Sequence, residues 1–125
     1  MAQKYYADEP RYNVAVDCII FGFEDGNLQV LFQHRTIEPF NGELTPLGGF
    51  VREEETLDEA AYRVLTERTG IQDLFLEQLE AFGDINRDPG GRVISIAYYA
   101  LLNKANYDSS LLTKFNCKWE KVNDL

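Results

Sequence analysis

The sequence predicts an α+β fold, and three observations carry the expectation. A helix is bounded at both ends between Thr56 and Gly70, a hairpin is written into residues 12–35, and residues 93–102 (VISIAYYALL) read as a strand. Thr56 is a good N-cap, and Glu59 three residues later completes a capping box. Gly70 stands where a C′ glycine stops a helix, with Ile71 able to fold back over it. At about 100° per residue, Leu57, Ala61, Val64 and Leu65 fall on one apolar stripe. The 125 residues fit one domain, 1–125, long enough to bury roughly two-thirds of its extended-chain surface.

In chain order, residues 12–23 (YNVAVDCIIFGF) are rich in Val, Ile and aromatics and predict a buried strand. Glu24-Asp25-Gly26-Asn27 supplies turn chemistry, and residues 28–35 (LQVLFQHR) alternate as the returning strand of a hairpin. Residues 36–47, with Pro39, Gly42 and Pro46, predict a loop delivering the chain to Gly48-Gly49, and Phe50-Val51 a short strand. Residues 74–83 (LFLEQLEAFG) fit either period; their place between a capped helix and a turn favours strand. A tight loop follows at 87–92 (RDPGGR). Beyond the strand at 93–102, residues 104–115 are loop-like with a short turn near Leu111-Leu112. Residues 116–122 (NCKWEKV) predict a last strand anchored by Trp119.

The run GGFVREEETLDEAAYRVLTERTGI, residues 48–71, resembles the Nudix box, G-x5-E-x7-R-E-U-x-E-E-x-G-U with U aliphatic. Gly49, Glu55, Arg63, Leu65, Glu67, Gly70 and Ile71 match at the required spacings, while Val64 and Arg68 stand where the box has Glu. The resemblance implies a Nudix fold, an α/β/α sandwich around a mixed β-sheet. It also implies a final helix after the last strand, expected to be missing because the sequence ends at Asn123-Asp124-Leu125, as a domain cut from a longer protein would.

In that family, carboxylates one turn apart share Mg²⁺ or Mn²⁺, hard cations that prefer oxygen ligands, and the metal screens a diphosphate and generates hydroxide. If hydrolysis is retained, the resemblance makes Glu55, Arg63 and Glu67 catalytic and Glu55 and Glu67 metal ligands, with Mg or Mn as cofactor. The positions equivalent to the consensus glutamate trio are Val64, Glu67 and Arg68. Their formal charges sum to zero, and a guanidinium does not deprotonate to admit a dication. The expectation is therefore no catalytic residue, no metal and no cofactor. Val64 also extends the apolar stripe, and Arg68 could pair with Glu67, with Glu55 or with a carboxylate outside the helix. Glu53, Glu54 and Glu59 could in principle rebuild a metal site.

A second constellation, FGDINRDPGGRV at 82–93, sets two arginines around a Pro-Gly-Gly turn in a chain with 12 Lys and Arg. Guanidinium forks suit phosphate or carboxylate oxygens, and glycines let backbone N–H groups approach an anion. The same residues equally describe a hairpin loop with solvated arginines. The run resembles the signature FGxxxRDPxGRVxSxxY, keeping Phe82, Gly83, Arg87, Asp88, Pro89, Gly91, Arg92, Val93, Ser95 and Tyr98. Two Nudix groups share it, ADP-ribose pyrophosphatases and Nudix-related transcriptional regulators. In the regulators a Nudix domain that has lost catalysis senses a small effector, and a C-terminal winged-helix domain binds operator DNA. The altered box and early ending make the regulators the nearer resemblance.

That resemblance implies Arg35, Arg87 and Arg92 as holders of an anionic or polyhydroxylated effector. It implies Glu43, Glu55, Glu67 and Arg68 lining the cleft under the box helix, and Phe40 and Tyr98 as stacking faces. The expected function is a non-catalytic effector-sensing domain of a bacterial transcriptional regulator. It would bind an ADP-ribose-like nucleotide or a sugar such as L-arabinose, act as a homodimer, and meet DNA only through a domain absent from this chain. The alternative is a metal-dependent hydrolase of ADP-ribose or a related nucleoside diphosphate derivative. A net charge of -9 argues against this segment wrapping a nucleic-acid backbone. Cys18 and Cys117 lack metal-ligand spacing and read as reduced thiols of a cytoplasmic protein, and His34 is the single histidine. No signal-peptide core and no apolar run of membrane-spanning length is present, so no membrane partner is expected.

Overall fold

The computed structural model describes residues 3–34, 42–85, 90–107 and 109–122. A short helix α1 (Gln3–Tyr6) precedes a hairpin of β1 (Asn13–Glu24) and β2 (Asn27–His34). Asp25 and Gly26 carry φ of 52° and 79° between the paired residues Glu24 and Asn27. Two positive φ values in a two-residue loop match the right-handed strand twist, which is why Asp-Gly stands here. β3 (Leu44–Thr45) and β4 (Leu47–Phe50) lead into α2 (Leu57–Thr69); β5 (Glu77–Phe82) and β6 (Val93–Asn103) follow. A 3₁₀ turn (Lys104–Asn106), α3 (Ser109–Lys114) and β7 (Cys117–Lys121) complete the described elements.

The strands form one mixed seven-stranded sheet in the order β3-β2-β1-β6-β5, with β4 on β1 and β7 on β2. β1 is its spine. One edge of β1 runs parallel to β6 from Asn13↔Val93 to Phe23↔Asn103. The other edge is divided, antiparallel to β4 near its start (Ala15↔Phe50 to Cys18↔Leu47) and to β2 near its end (Phe21↔Val30 to Glu24↔Asn27). Helix α2 lies on the face carrying Val16, Cys18 and Ile20, all fully buried, and the Cys18 thiol donates to the Ala61 carbonyl at 3.4 Å. Ala60, Ala61, Val64 and Leu65 of the helix meet Leu31, Leu47, Ile96, Tyr98, Ala100 and Leu102 in the core. The opposite face carries the row Phe50–Ala15–Ser95–Phe82 across four strands, its two phenylalanines exposed.

Several expectations shift in detail. The predicted loop 36–47 contains β3, and β4 opens at Leu47 rather than Phe50; backbone pairing with β1, which needs no side-chain signal, sets that boundary. Residues 104–115 hold the 3₁₀ turn and α3 rather than a plain loop, the turn capped by the Asn103 side chain accepting from the Ala105 amide at 3.1 Å. The ambiguous stretch 74–83 is settled as strand by pairing with β6. Its first part is not strand, because Leu74 and Leu76 turn into the core.

Gly22 is buried where any Cβ would collide with the edge of the Trp119 ring and with the Lys104 side chain. Gly22→Ala should therefore destabilise by about 1–3 kcal/mol through overpacking, read in urea as a lower midpoint at unchanged slope. A midpoint equal to the native chain's would show that Trp119 moves aside freely.

Candidate functional site

The loop before α2 and the helix itself are tied by one side chain. Arg63 donates through Nε to Glu55 Oε2 at 2.5 Å and through Nη2 to Glu55 Oε1 at 2.9 Å. Its Nη1 reaches Glu67 Oε1 at 3.0 Å, one turn along, and Nη2 also meets the Phe50 carbonyl at 2.7 Å. Bidentate guanidinium–carboxylate pairing is directional as well as charged, and here it links β4, the loop and the helix. Glu55 accepts further from the Arg52 amide at 2.9 Å. The hydrogen bond from Arg63, with Arg52 in support, pulls the Glu55 carboxyl down to about 2 against the smaller opposing effect of desolvation. Arg52, which sequence reasoning missed, also lies 3.7 Å from Glu67, an exposed and weak pair.

The two residues that depart from the box are built into the fold. Val64 is 1% exposed, and its Cγ2 sits 2.8 Å from where a Cβ on Gly49 would lie, so the glycine and the valine pack as a matched pair. Arg68 donates through Nε to the Gly48 carbonyl at 3.1 Å. Of the carboxylates open to Arg68, Glu55 and Glu67 are already held by Arg63 and Arg52, and the acceptor of its Nε is backbone. Gly48 is itself closely approached, since a Cβ there would fall 2.5 Å from Asp17 Oδ1. The Arg68 carbonyl accepts the Cys117 thiol at 3.2 Å. Burial pushes Cys117 to about 11, and burial followed by the Asp17 charge pushes Cys18 to about 12; both are free thiols held protonated.

A hard dication asks for several oxygen donors free to converge. Val64 offers none, Arg68 brings a cation, and Glu55 and Glu67 are engaged with Arg63. Glu59 is spent on the capping box, accepting from the Thr56 amide at 2.8 Å, while Glu53 and Glu54 are exposed. Among the described residues no group of three or more His, Cys, Asp or Glu is placed to hold a metal. The residues present do not fit the group that the box resemblance implies.

The second constellation meets the first at the start of β1. Val51 donates its amide to the Val14 carbonyl at 2.8 Å on one side of β1, and Asn13 pairs with Val93 on the other. Two strand spacings of about 4.8 Å put the Arg52 and Arg92 backbones roughly 10 Å apart. Arg92 donates through Nη2 to the Gly83 carbonyl at 3.1 Å, and its Cζ lies 4.7 Å from the centroid of the Tyr12 ring. Glu43 is exposed immediately before β3. Arg35, Phe40 and Arg87 lie outside the described residues.

Tyr98 is corrected. Expected as a stacking face, it is 1% exposed in the core, its hydroxyl donating to Asp58 Oδ1 at 2.6 Å. Burial, then the hydrogen bond with Asp58, raises its ionisation far above the usual range. The parallel register of β6 on β1, which turns Tyr98 beneath α2 beside Cys18, is not readable from residue types. Two concavities of about 350 and 340 Å³ open elsewhere. The first is lined by His34, Thr113, Asn116, Cys117 and Lys118, the second by residues around Lys104 and Trp119. Neither includes a candidate residue, so side-chain chemistry rather than cavity size locates the site.

Comparison with known proteins gives consistent matches. The model of the NUDIX domain matches residues 11–125. The ADPR responsive transcriptional repressor NtrR of Acinetobacter baylyi is 33% identical over 121 residues, 95% of this chain and 48% of the repressor. The ADP-ribose pyrophosphatase of Methanocaldococcus jannaschii is 40% identical over 85 residues, 68% of this chain and 48% of that enzyme. The NUDIX domain of Shewanella oneidensis NrtR, solved with ADP ribose, superposes with a TM-score of 0.78 at 27% identity, covering 99% of this chain and 86% of that one. The chain spans about half the length of the curated relatives it matches.

The Glu55–Arg63 pair gives a pH dependence of definite sign. A carboxyl depressed in the fold contributes stability above its ordinary value of 4.5 and loses it as pH falls toward about 2. The melting temperature should therefore drop across that window, and Glu55→Gln should flatten the drop. An acid limb identical in the two proteins would show that the pair does not contribute.

Proposed function

This chain belongs to the NUDIX family, and from that membership we propose that it is a non-catalytic effector-sensing domain of a transcriptional regulator. Its effector is ADP-ribose or a close nucleotide relative. One observation carries the reading: Arg63 occupies both carboxylates that the box retains, while Val64 and Arg68 fill the other two metal positions with a core methyl group and a fixed cation. A groove of that kind attracts an anion and repels a dication. The likeness to an ADPR responsive repressor and to a NUDIX domain solved with ADP ribose supports a nucleotide over a free sugar such as L-arabinose. Arg92, with Arg35 and Arg87, would meet the diphosphate, and Phe40 the base or ribose. In this reading the -9 charge disfavours DNA contact by this domain itself and leaves it to a further one.

In this reading the domain works as a homodimer in the cytoplasm, where its two free thiols stay reduced. Effector binding biases an equilibrium between DNA-competent and DNA-incompetent arrangements by its differential affinity for the two. A second reading, hydrolysis of ADP-ribose, is favoured by the retained Glu55, Arg63 and Glu67 and by the likeness to a pyrophosphatase.

Calorimetry in a chelator separates the two. ADP-ribose should bind one to one without metal, and incubation with Mg²⁺ or Mn²⁺ should release no AMP above the buffer blank. Turnover that Glu67→Gln abolishes would establish the hydrolase. Absence of heat with ADP-ribose, with a nicotinamide dinucleotide and with L-arabinose would remove the sensor.

A further inference from the structure

The Arg92 cation is held in a way that loop closure alone does not explain. One terminal N–H is spent on the Gly83 carbonyl. The Nε atom is buried and has no acceptor among the described residues, although buried donors in native folds are nearly always paired. What fixes the guanidinium is a ring: Tyr12, half-exposed and directly ahead of β1, lies 4.7 Å beneath it. The parallel register that pairs Asn13 with Val93 sets residue 12 beside residue 92, so the contact is built by the central strands of the sheet.

We propose that Tyr12 is a positioning residue whose ring face holds the Arg92 guanidinium so that its remaining edge donors meet an oxyanion of the effector. The inference rests on the effector reading above and narrows it to a ligand carrying a phosphate or diphosphate near the start of β1. Cation–π contact uses the face of a guanidinium and leaves the in-plane N–H groups available for hydrogen bonding. A stacked arginine also loses less side-chain freedom on binding than a mobile one, and preorganisation of that kind raises affinity. Tyr12 needs only its ring for this task, so phenylalanine should replace it and leucine should not.

Two measurements on the full chain test the proposal. In nitrogen-resolved spectra of the arginine side chains, the Arg92 Nε–H, identified by its loss in Arg92→Lys, should be ring-shifted and protected from exchange in the native protein and in Tyr12→Phe. In Tyr12→Leu it should collapse to the position of exposed arginines. Calorimetry should find ADP-ribose bound roughly fivefold or more weakly by Tyr12→Leu and within about twofold by Tyr12→Phe. Adenosine, which lacks the diphosphate, should bind all three alike. An unmoved Nε–H, or equal ADP-ribose affinity in the three proteins, overturns the role of Tyr12 and leaves the sensor reading standing. A Tyr12-dependent resonance in a native protein that gives no response to ADP-ribose overturns both.

Discussion

The fork of Arg63 is the constraint on which the site depends. It joins three pieces of chain: the end of β4 through the Phe50 carbonyl, the acidic loop through Glu55, and its own helix through Glu67. Glu55 is largely enclosed and Glu67 half open, so the first contact carries most of the ordering and the second little. With both carboxylates engaged, the neighbouring substitutions acquire their meaning. Val64 closes the helix onto Gly49, and Arg68 closes it onto the Gly48 carbonyl. The ground a cation would occupy has become packing and hydrogen bonding.

Topology then brings the two sequence motifs to one place. β1 takes β4 on one edge and β6 on the other, so the box loop and the Arg92 turn flank its first residues although some forty positions separate them in the chain. The result is an acidic domain with a local arginine-bearing rim. Local potential rather than net charge governs the approach of an anionic ligand, and so a chain of -9 is compatible with a nucleotide effector.

Much of the fold was legible because its signals are local. The capping box at Thr56 and Glu59, the αL stop at Gly70 and the Asp25-Gly26 turn need only a few residues each, and all three form as written. The box spacing identified the carboxylates and Arg63 for the same reason. What could not be read depends on strand register. Tyr98 falls under α2 because β6 runs parallel to β1 in one alignment, and Tyr12 meets Arg92 through that same alignment. The acceptor of the Arg68 Nε is likewise hidden in the sequence: charge points to a carboxylate, whereas the close approach of β4 at Gly48-Gly49 supplies a carbonyl. Glycines beside a helix carry the signal for such an approach, and an arginine reaching backbone leaves none.

With Glu55 and Glu67 both paired to Arg63, and Val64 and Arg68 in the neighbouring positions, the groove should not grip a dication. Electron paramagnetic resonance of Mn²⁺ titrated with the protein alone measures this directly, because only the free hexaaqua ion gives the sharp six-line signal. The signal should stay at full intensity as protein is added in excess. Its loss on adding the native chain, and its return with Glu67→Gln, would show that the groove still holds the metal through that carboxylate.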